Sequence, residues 1–483
     1  MQIHKIIYKF CCAIIVTGLL VTGCSNYKSA TVTSSMKLPD TFTVSTDTNT
    51  IAAIPISSFF SDTYLVSLID TAMAANPDIL SALQKVEVAN ANLKYAGGAL
   101  LPSVNLNLNA GIEKYGDYTM NGVGNYDTNL SSNINSDQKI PTNPTPDYFV
   151  GFKSSWEVDL WGKLHSRKKA AFSRFLASQN GYKMVMTSLT SQIATAYYQL
   201  LALDYELKVI RKNIILQRNA LEIVKVQKLG GRATELAVQQ FLAQLKRTQG
   251  LESVTLQQIV ETENQLKFLT GKFSQPVRRD TSINTLVLPK VLTAGVPSQL
   301  LLNRPDIKEA ELELQAMNAD IKAARAAFFP SLTLSPYVGF NSFASSLLFN
   351  TGSFVYGVVG GVTAPIFNRR QIKSDYARTI AEGKQALYAY QKTILSSFQE
   401  VMNGMKGVEN YQNYYEQKQQ EVQALTNAVD VANDLYLVGR ANYLEVITAQ
   451  RSVLDAELEL ANTRKNIFIN AINLYRSVGG GWR

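Results

Sequence analysis

Two signatures occur twice in this chain, in the same order. Asn76-Pro77-Asp78-Ile79 opens about one helix of sequence that closes on Leu100-Leu101-Pro102-Ser103, and Arg304-Pro305-Asp306-Ile307 opens another that closes on Phe328-Phe329-Pro330-Ser331. In both copies the two prolines stand 25 positions apart. Further on come Leu229-Gly230-Gly231-Arg232-Ala233-Thr234-Glu235-Leu236 and Leu437-Val438-Gly439-Arg440-Ala441-Asn442-Tyr443-Leu444, both of the form Leu-x-Gly-Arg-Ala-x-x-Leu. Ordered, repeated markers mean a tandem duplication, so whatever one unit is, the chain holds two.

Within each unit the hydrophobic period changes twice. After Pro102, Val104, Leu106 and Leu108 alternate with Asn105, Asn107 and Asn109, the period of a strand with one apolar face. Residues 113–147 are rich in Asn, Asp, Ser, Thr, Gly and Pro and read as a long loop. Residues 148–159 alternate again. The second unit offers the same pair of strands, through Leu332, Leu334 and Pro336 and then residues 356–363. Each pair leads into a long proline-free stretch. In the first, Ile193, Leu200, Leu207, Ile214 and Leu221 recur every seven residues, with Leu203, Ile210 and Val224 between them. In the second, Ile394, Val401 and Val408 and then Tyr415, Val422, Val429 and Tyr436 keep the same step. These are heptad seams on helices about 100 Å long. Both helices stop at a Gly-Arg-Ala turn, after which an apolar-striped helix returns.

The N-terminus carries an export signal. Lys5 and Lys9 precede a mostly apolar run, and small residues then lead to Cys24. Val21-Thr22-Gly23-Cys24 resembles a bacterial lipobox, with Val21 where Leu is commoner. That implies cleavage before Cys24 and its acylation. Cys11 and Cys12 leave with the signal, so no disulfide within the mature chain and no thiolate metal cluster is expected. No cofactor is expected either. The formal charge falls from +9 to +7 with the loss of Lys5 and Lys9. This excess is spread among nearly as many acids along helices, so nucleic acid is not an expected partner. His165, the histidine left in the mature chain, stands beside Arg167, Lys168 and Lys169 without a His or Cys partner in sequence. It reads as a surface residue, and no enzyme is expected.

Four strands in one chain leave open edges, and they are too few for a closed barrel. A symmetric oligomer sharing one barrel removes the edges, and three chains supply 12 strands. Strands of about ten residues are long enough to cross a bilayer. A soluble coiled-coil scaffold would account for the heptads but not for the lipobox or the paired hairpins.

At this point the chain resembles the outer-membrane efflux factors of the TolC/OprM type, in their lipoprotein branch. The resemblance is carried by Arg304-Pro305-Asp306-Ile307 with Phe328-Phe329-Pro330-Ser331, by Trp156-Glu157-Val158-Asp159-Leu160-Trp161-Gly162-Lys163, and by Gly439-Arg440-Ala441-Asn442-Tyr443-Leu444 followed by Ala449-Gln450-Arg451-Ser452. The first repeat departs from it with Asn76 in place of Arg. The resemblance implies a mixed α and β membrane protein: a tandem-repeat subunit of a trimeric 12-stranded outer-membrane β-barrel, continued by a long α-helical coiled-coil barrel in the periplasm. It implies a homotrimer, a periplasmic adaptor, an inner-membrane pump and outer-membrane lipid as partners. The function implied is the exit duct of a tripartite efflux system for drugs or other small molecules, with the channel of a type I protein-secretion system as the alternative.

The expected organisation is a signal peptide at 1–23 and a lipid-anchored tether at 24–60. A first repeat at 61–271 holds a β-hairpin at 103–158 and a helical hairpin at 162–270. An equatorial bridge at 272–297 follows. A second repeat at 298–478 holds a β-hairpin at 331–364 and a helical hairpin at 367–476, and a tail occupies 479–483. Candidate residues are Cys24 for lipidation, and Gly231, Arg232, Ala233, Gly439, Arg440 and Ala441 as exposed adaptor-docking tips. Asp430 and Asp434, one helical turn apart, are candidates for a periplasmic gate, with Lys225 and Lys228 at matching height in the first repeat.

Overall fold

The computed structural model describes residues 31–34, 39–42, 50–273, 276–279, 282–287, 294–366 and 369–483. The signal peptide and Cys24 lie outside the described residues. In the first half, α1 (Thr63–Ala75) and α2 (Pro77–Gly98) lead to β1 (Ser103–Glu113), β2 (Thr145–Val158), α3 (Lys163–Leu229) and α4 (Glu235–Leu269). In the second half, α5 (Pro305–Ala326) leads to β3 (Ser331–Ser342), β4 (Phe354–Thr363), α6 (Arg369–Leu437) and α7 (Tyr443–Ser477). The fold is the expected mixed α and β tandem repeat. Its compact units are not the repeats, however. Among the described residues, one unit takes 31–33, 89–175 and 314–386, the other 34–88, 176–313 and 387–483. Each draws on both repeats, because strands pair and helices pack with their counterparts in the other half.

In the first unit the four strands form one antiparallel sheet in the order β1-β2-β3-β4. β2 and β3 join the repeats, with Gly151 opposite Gly339 and Trp156 opposite Leu334. The β1–β2 connection is not all loop as its composition suggested. It contains the helix Met120–Thr128, whose start is capped by Thr119 accepting from the Gly122 N–H.

The Trp156–Lys163 signature now has a physical account. Trp156 Nε1 donates to the Leu100 carbonyl at 3.0 Å, and Trp161 Nε1 to the Pro330 carbonyl at 2.7 Å. Trp161 also stacks on Phe329. The two indoles therefore hold the Leu-Leu-Pro and Phe-Phe-Pro turns of both repeats, and Glu157 pairs with Lys163. Asp159 is the start signal of α3: it accepts from the Leu164 N–H at 3.1 Å and the His165 N–H at 2.8 Å, and its Oδ2 lies 2.6 Å from His165 Nδ1. His165 is thus a cap partner with an exposed ring, and no catalytic group faces it in this cluster.

Burial raises the Asp159 carboxyl, but the donated N–H groups and His165 outweigh it and hold the group below the usual carboxylate range. The sign follows: a depressed carboxylate stabilises fully above its unfolded value, near pH 4, and the contribution is lost as pH falls through the folded value. Asp159→Asn keeps an acceptor but loses its charge, so it is expected to cost about 1 kcal/mol at pH 7 and to flatten the acid limb of the melting-temperature profile. An unchanged acid limb would mean that Asp159 does not report the helix start.

In the second unit the heptad seam of α3 forms the core. Ile193, Leu200 and Leu203 are almost completely buried in one cluster with Phe468 and Ile472 of α7, and Ile210 in a second cluster toward the Gly-Arg-Ala turns. On α6 the seam is buried at Ile394, Val401 and Val408 but only half-buried at Tyr415, Val422 and Val429.

The joints between the short and long helices repeat as well. Asn76 donates from Nδ2 to the Leu269 carbonyl at 2.8 Å, where α4 ends, and its Oδ1 accepts from the Asp78 N–H. Arg304 does the same work in the second repeat. Its Nη1 donates to the Ser477 carbonyl at 2.7 Å, where α7 ends. It also makes a bidentate pair with Asp306, at 3.0 and 2.6 Å, and reaches Glu400 Oε2 at 3.0 Å. The glycines beyond those helix ends match too. Gly271 (φ 69°) and Gly479 (φ 99°) both sit where a Cβ would lie 2.6 Å from a carbonyl oxygen, that of Ala75 and that of Asn303. Asn76 in place of Arg therefore changes the number of contacts at the joint, not its design.

Three stretches are more structured than their composition indicated. At the end of the tether, Ile51, Ala52, Phe59 and Phe60 are buried, Phe59 stacks on Tyr475, and Tyr475 donates its hydroxyl to the Ile54 carbonyl. The tail is docked: Thr190 donates to the Gly481 carbonyl at 2.9 Å, and Lys183 lies over the Trp482 ring. The bridge is held by Arg279, which pairs with Asp204 and Glu263.

Candidate functional site

Strand register sorts the sheet into two faces. Leu106, Phe152, Val338 and Tyr356 lie in line across the sheet, as do Leu108, Val150, Phe340 and Phe354. The adjacent positions place Asn105, Lys153 and Tyr337 in line, then Asn109, Phe149 and Asn341. All four charged residues of the strands, Glu113, Asp147, Lys153 and Glu157, fall on this second face. One face is apolar and fits lipid; the other is polar and fits a water-filled lumen. Lys153, which the sequence reading did not single out, is held on the polar face with its Nζ 4.5 Å from the centre of the Phe149 ring. The Asn-x-Asn-x-Asn alternation in β1 was its legible counterpart. No helix among the described residues is long and apolar enough to cross a membrane.

In the second unit the two Gly-Arg-Ala turns are built alike. Gly231 (φ 73°) and Gly439 (φ 76°) take the left-handed conformation that closes a helix end. The Arg232 N–H donates to the Gln227 carbonyl and the Arg440 N–H to the Leu435 carbonyl, each at 2.8 Å. Thr234 and Asn442 then cap the returning helices, Asn442 in a capping box with Glu445. Of the six tip candidates, Gly231, Arg232, Gly439 and Arg440 are exposed, whereas Ala233 and Ala441 are half-buried. Ala233 packs under the turn against the core of its own hairpin. Exposed apolar side chains flank the turns: Leu229, Leu236, Leu437, Val438 and Leu444. These were legible only as motif positions, because an exposed leucine has the same letter as a core one.

Near the tips the candidate gate residues are arranged as follows. Asp430 and Asp434 are exposed on α6. Lys225 pairs with Glu222 at 2.8 Å, and Lys228 with Glu235 across the turn. A link between the repeats is made by Tyr436, whose hydroxyl donates to Gln227 Oε1 at 2.6 Å. Burial pushes the Tyr436 hydroxyl above the usual tyrosine range, so it remains a donor at neutral pH.

Comparison with known proteins gives the family. The model for outer membrane efflux proteins matches residues 68–272 and 296–480, one segment per repeat. The pyoverdine export outer membrane protein OpmQ of Pseudomonas putida is 29% identical over 424 residues, covering 88% of this chain and 87% of that protein. The cation efflux system protein CusC of Escherichia coli is 29% identical over 475 residues, covering 96% and 98%. A crystal structure of CusC superposes with a TM-score of 0.82 at 25% identity, covering 95% of this chain and 99% of that one. The chain therefore belongs to the outer membrane efflux protein family. It is an outer-membrane exit duct of a tripartite efflux system, with a β-barrel in the membrane and a helical part in the periplasm. Members of the family are channels, not enzymes.

Proposed function

We propose that three copies of this chain form one duct, that its tips receive a periplasmic adaptor joined to an inner-membrane pump, and that its cargo is drugs or other small molecules. The observation that carries the assembly is the sheet itself: β1 and β4 are its two edges. Their backbones are satisfied when β4 of one copy pairs with β1 of the next. The half-buried lower seam of α6 at Tyr415, Val422 and Val429 supports the same arrangement. Cross-linking in outer-membrane fractions is expected to stop at trimers. Monomers, or ladders running past three, would reject the closed ring.

Docking at Gly231, Arg232, Gly439 and Arg440 is supported by their exposure and by the apolar residues beside them, with Ala233 and Ala441 half-buried in each turn. Acylation of Cys24 gives the second hold on outer-membrane lipid. Gating belongs at the same end. Threefold symmetry turns Asp430 and Asp434 into two stacked rings of carboxylates. Lys225 and Lys228 are the counter-charges nearest in height, and they reach a neighbour's aspartates only by leaving Glu222 and Glu235. Each such exposed pair is worth about 0–1 kcal/mol, small enough for adaptor binding to reverse. Asp430→Ala with Asp434→Ala is expected to raise single-channel conductance in planar bilayers and to weaken cation preference. Unchanged values in intact trimers would place these carboxylates outside the conducting path.

A further inference from the structure

Asn318, half-buried on α5, has both of its amide heteroatoms committed to the N-terminal tether. The Val32 N–H donates to Asn318 Oδ1 at 2.9 Å, and Asn318 Nδ2 donates to the Val32 carbonyl at 2.9 Å. This is the pairing one strand offers another, supplied by a side chain. It recognises extended backbone of any sequence. The Val32 side chain is itself 8% exposed, although it lies 286 positions away from Asn318. Space for it comes from α6. A Cβ on Gly383 would stand 3.4 Å from Val32 Cγ2 and 2.9 Å from Ile321 Cδ1. Gly383 has ordinary helical backbone, so its missing side chain is explained by this crowding rather than by a turn.

We infer that Asn318, Ile321 and Gly383 form a docking slot for the chain's own tether, and that the slot holds the acylated end of the chain close to the foot of the barrel. The second half of this statement rests on the reading of Cys24 as the lipidated residue. The arithmetic favours it. From Cys24 to Val32 is eight residue steps, at most about 27 Å of chain. From Cys24 to Phe42, the next buried side chain of the tether, which stacks on Phe398, the span reaches about 60 Å. Asn318 lies eight residues before the end of α5 at Ala326, about 12 Å along the helix, and β3 begins at Ser331. A leash of this length spans that helix segment and reaches the strand ends, with little left over. Shortening a leash raises the local concentration of its end at the surface it must enter. The slot thus makes the anchor of each copy local to that copy's own strands.

Hydrogen exchange on the full-length, acylated protein in detergent tests the slot. Asn318→Leu is expected to speed exchange of the Val32 amide by about fivefold or more, the effect of one lost hydrogen bond, with the peptides of β1 to β4 unchanged. Gly383→Val, which presses on Ile321 and Val32, is expected to do the same. Equal exchange in the unaltered protein and in both variants would overturn the slot. The leash is tested by deleting residues 26–29, which leaves about 14 Å of chain between anchor and slot. Recovery of assembled channel from the outer membrane is expected to fall about fivefold, a change of about 1 kcal/mol, and to return when Asn318→Leu frees the tether. Recovery that is the same with and without Asn318→Leu would overturn the leash. Palmitate labelling at Cys24 separates the two readings: an unlabelled wild-type chain rejects the lipid anchor, and the leash with it, while the exchange data still decide the slot.

Discussion

Arg304→Met is expected to destabilise the protein by about 3 kcal/mol, at the lower end of the cost of breaking a buried ion pair by removing one partner. The guanidinium is buried, with a side-chain exposure of 8%. Burial by itself lowers its pKa, but the hydrogen bonds to Asp306 and the charges of Asp306 and Glu400 more than reverse that, so Arg304 is charged at every accessible pH. Its removal takes a donor from three acceptors at once: Asp306, which keeps the Ile307 N–H, Glu400, which keeps Ser396 and Arg476, and the Ser477 carbonyl. Asp306 and Glu400 keep some access to water, at 24% and 34% exposure, and this holds the cost below the upper end. Arg304→Lys retains the charge but not the two-pronged match to Asp306, so it is expected to fall between methionine and wild type. Asn76→Ala at the equivalent joint is expected to cost only about 1 kcal/mol, because a neutral cap is lost there and no charge is left behind. The apparent melting temperature of the purified channel gives the order. A double-mutant cycle with Asp306→Asn gives the coupling. Equal costs at Asn76 and Arg304, or additive costs for Arg304 and Asp306, would show that the arginine is only a spacer before Pro305.

The joints also show why part of this fold was legible and part was not. Strands and long helices announced themselves because their periods survive in the letters: Val104, Leu106 and Leu108 at every second position, and Ile193, Leu200 and Leu207 at every seventh. The duplication was legible because each repeat kept its prolines at the same spacing. Contacts between residues far apart in the chain left no such trace. Nothing in the sequence pairs Arg304 with Ser477 or Trp161 with Pro330, because these contacts depend on three-dimensional placement and not on period. Composition misled where a few apolar residues carried the structure. The polar stretch before α1 is pinned by Ile51, Phe59 and Phe60, and the glycine-rich end by the Gly481 carbonyl and Trp482. At the tips the turn signature was legible, but its exposure pattern was not. Ala233 and Ala441 were expected to be exposed with the arginines, and they are instead half-buried. A small residue after a left-handed glycine fits that place because it lets the chain turn back onto its own core.

Gly439→Trp is expected to abolish efflux while leaving the channel assembled in the outer membrane. The case rests on a contrast between glycines that share a conformation. Gly271 and Gly479 have positive φ and a carbonyl oxygen 2.6 Å from any added Cβ, so a side chain there collides with backbone. Gly231 and Gly439 have positive φ and nothing within 4 Å of the added Cβ. At the tips, then, a substitution costs only the left-handed backbone, about 1–2 kcal/mol. The indole projects into open space beside Leu437, Val438 and Leu444, which is the surface proposed to receive the adaptor. Three copies present it three times around the ring. A loss of about 2.8 kcal/mol in docking, within the range of an interface hot spot, is a hundredfold in affinity. Drug susceptibility is expected to approach that of a strain without the channel, with trimer yield and melting temperature near wild type. Gly231→Trp is expected to act in the same direction. Gly479→Trp is expected to lower the amount of channel itself, which separates a failure to dock from a failure to fold. Wild-type resistance in the Gly439→Trp strain, with the altered chain present in the outer membrane, would remove the tips from the docking surface.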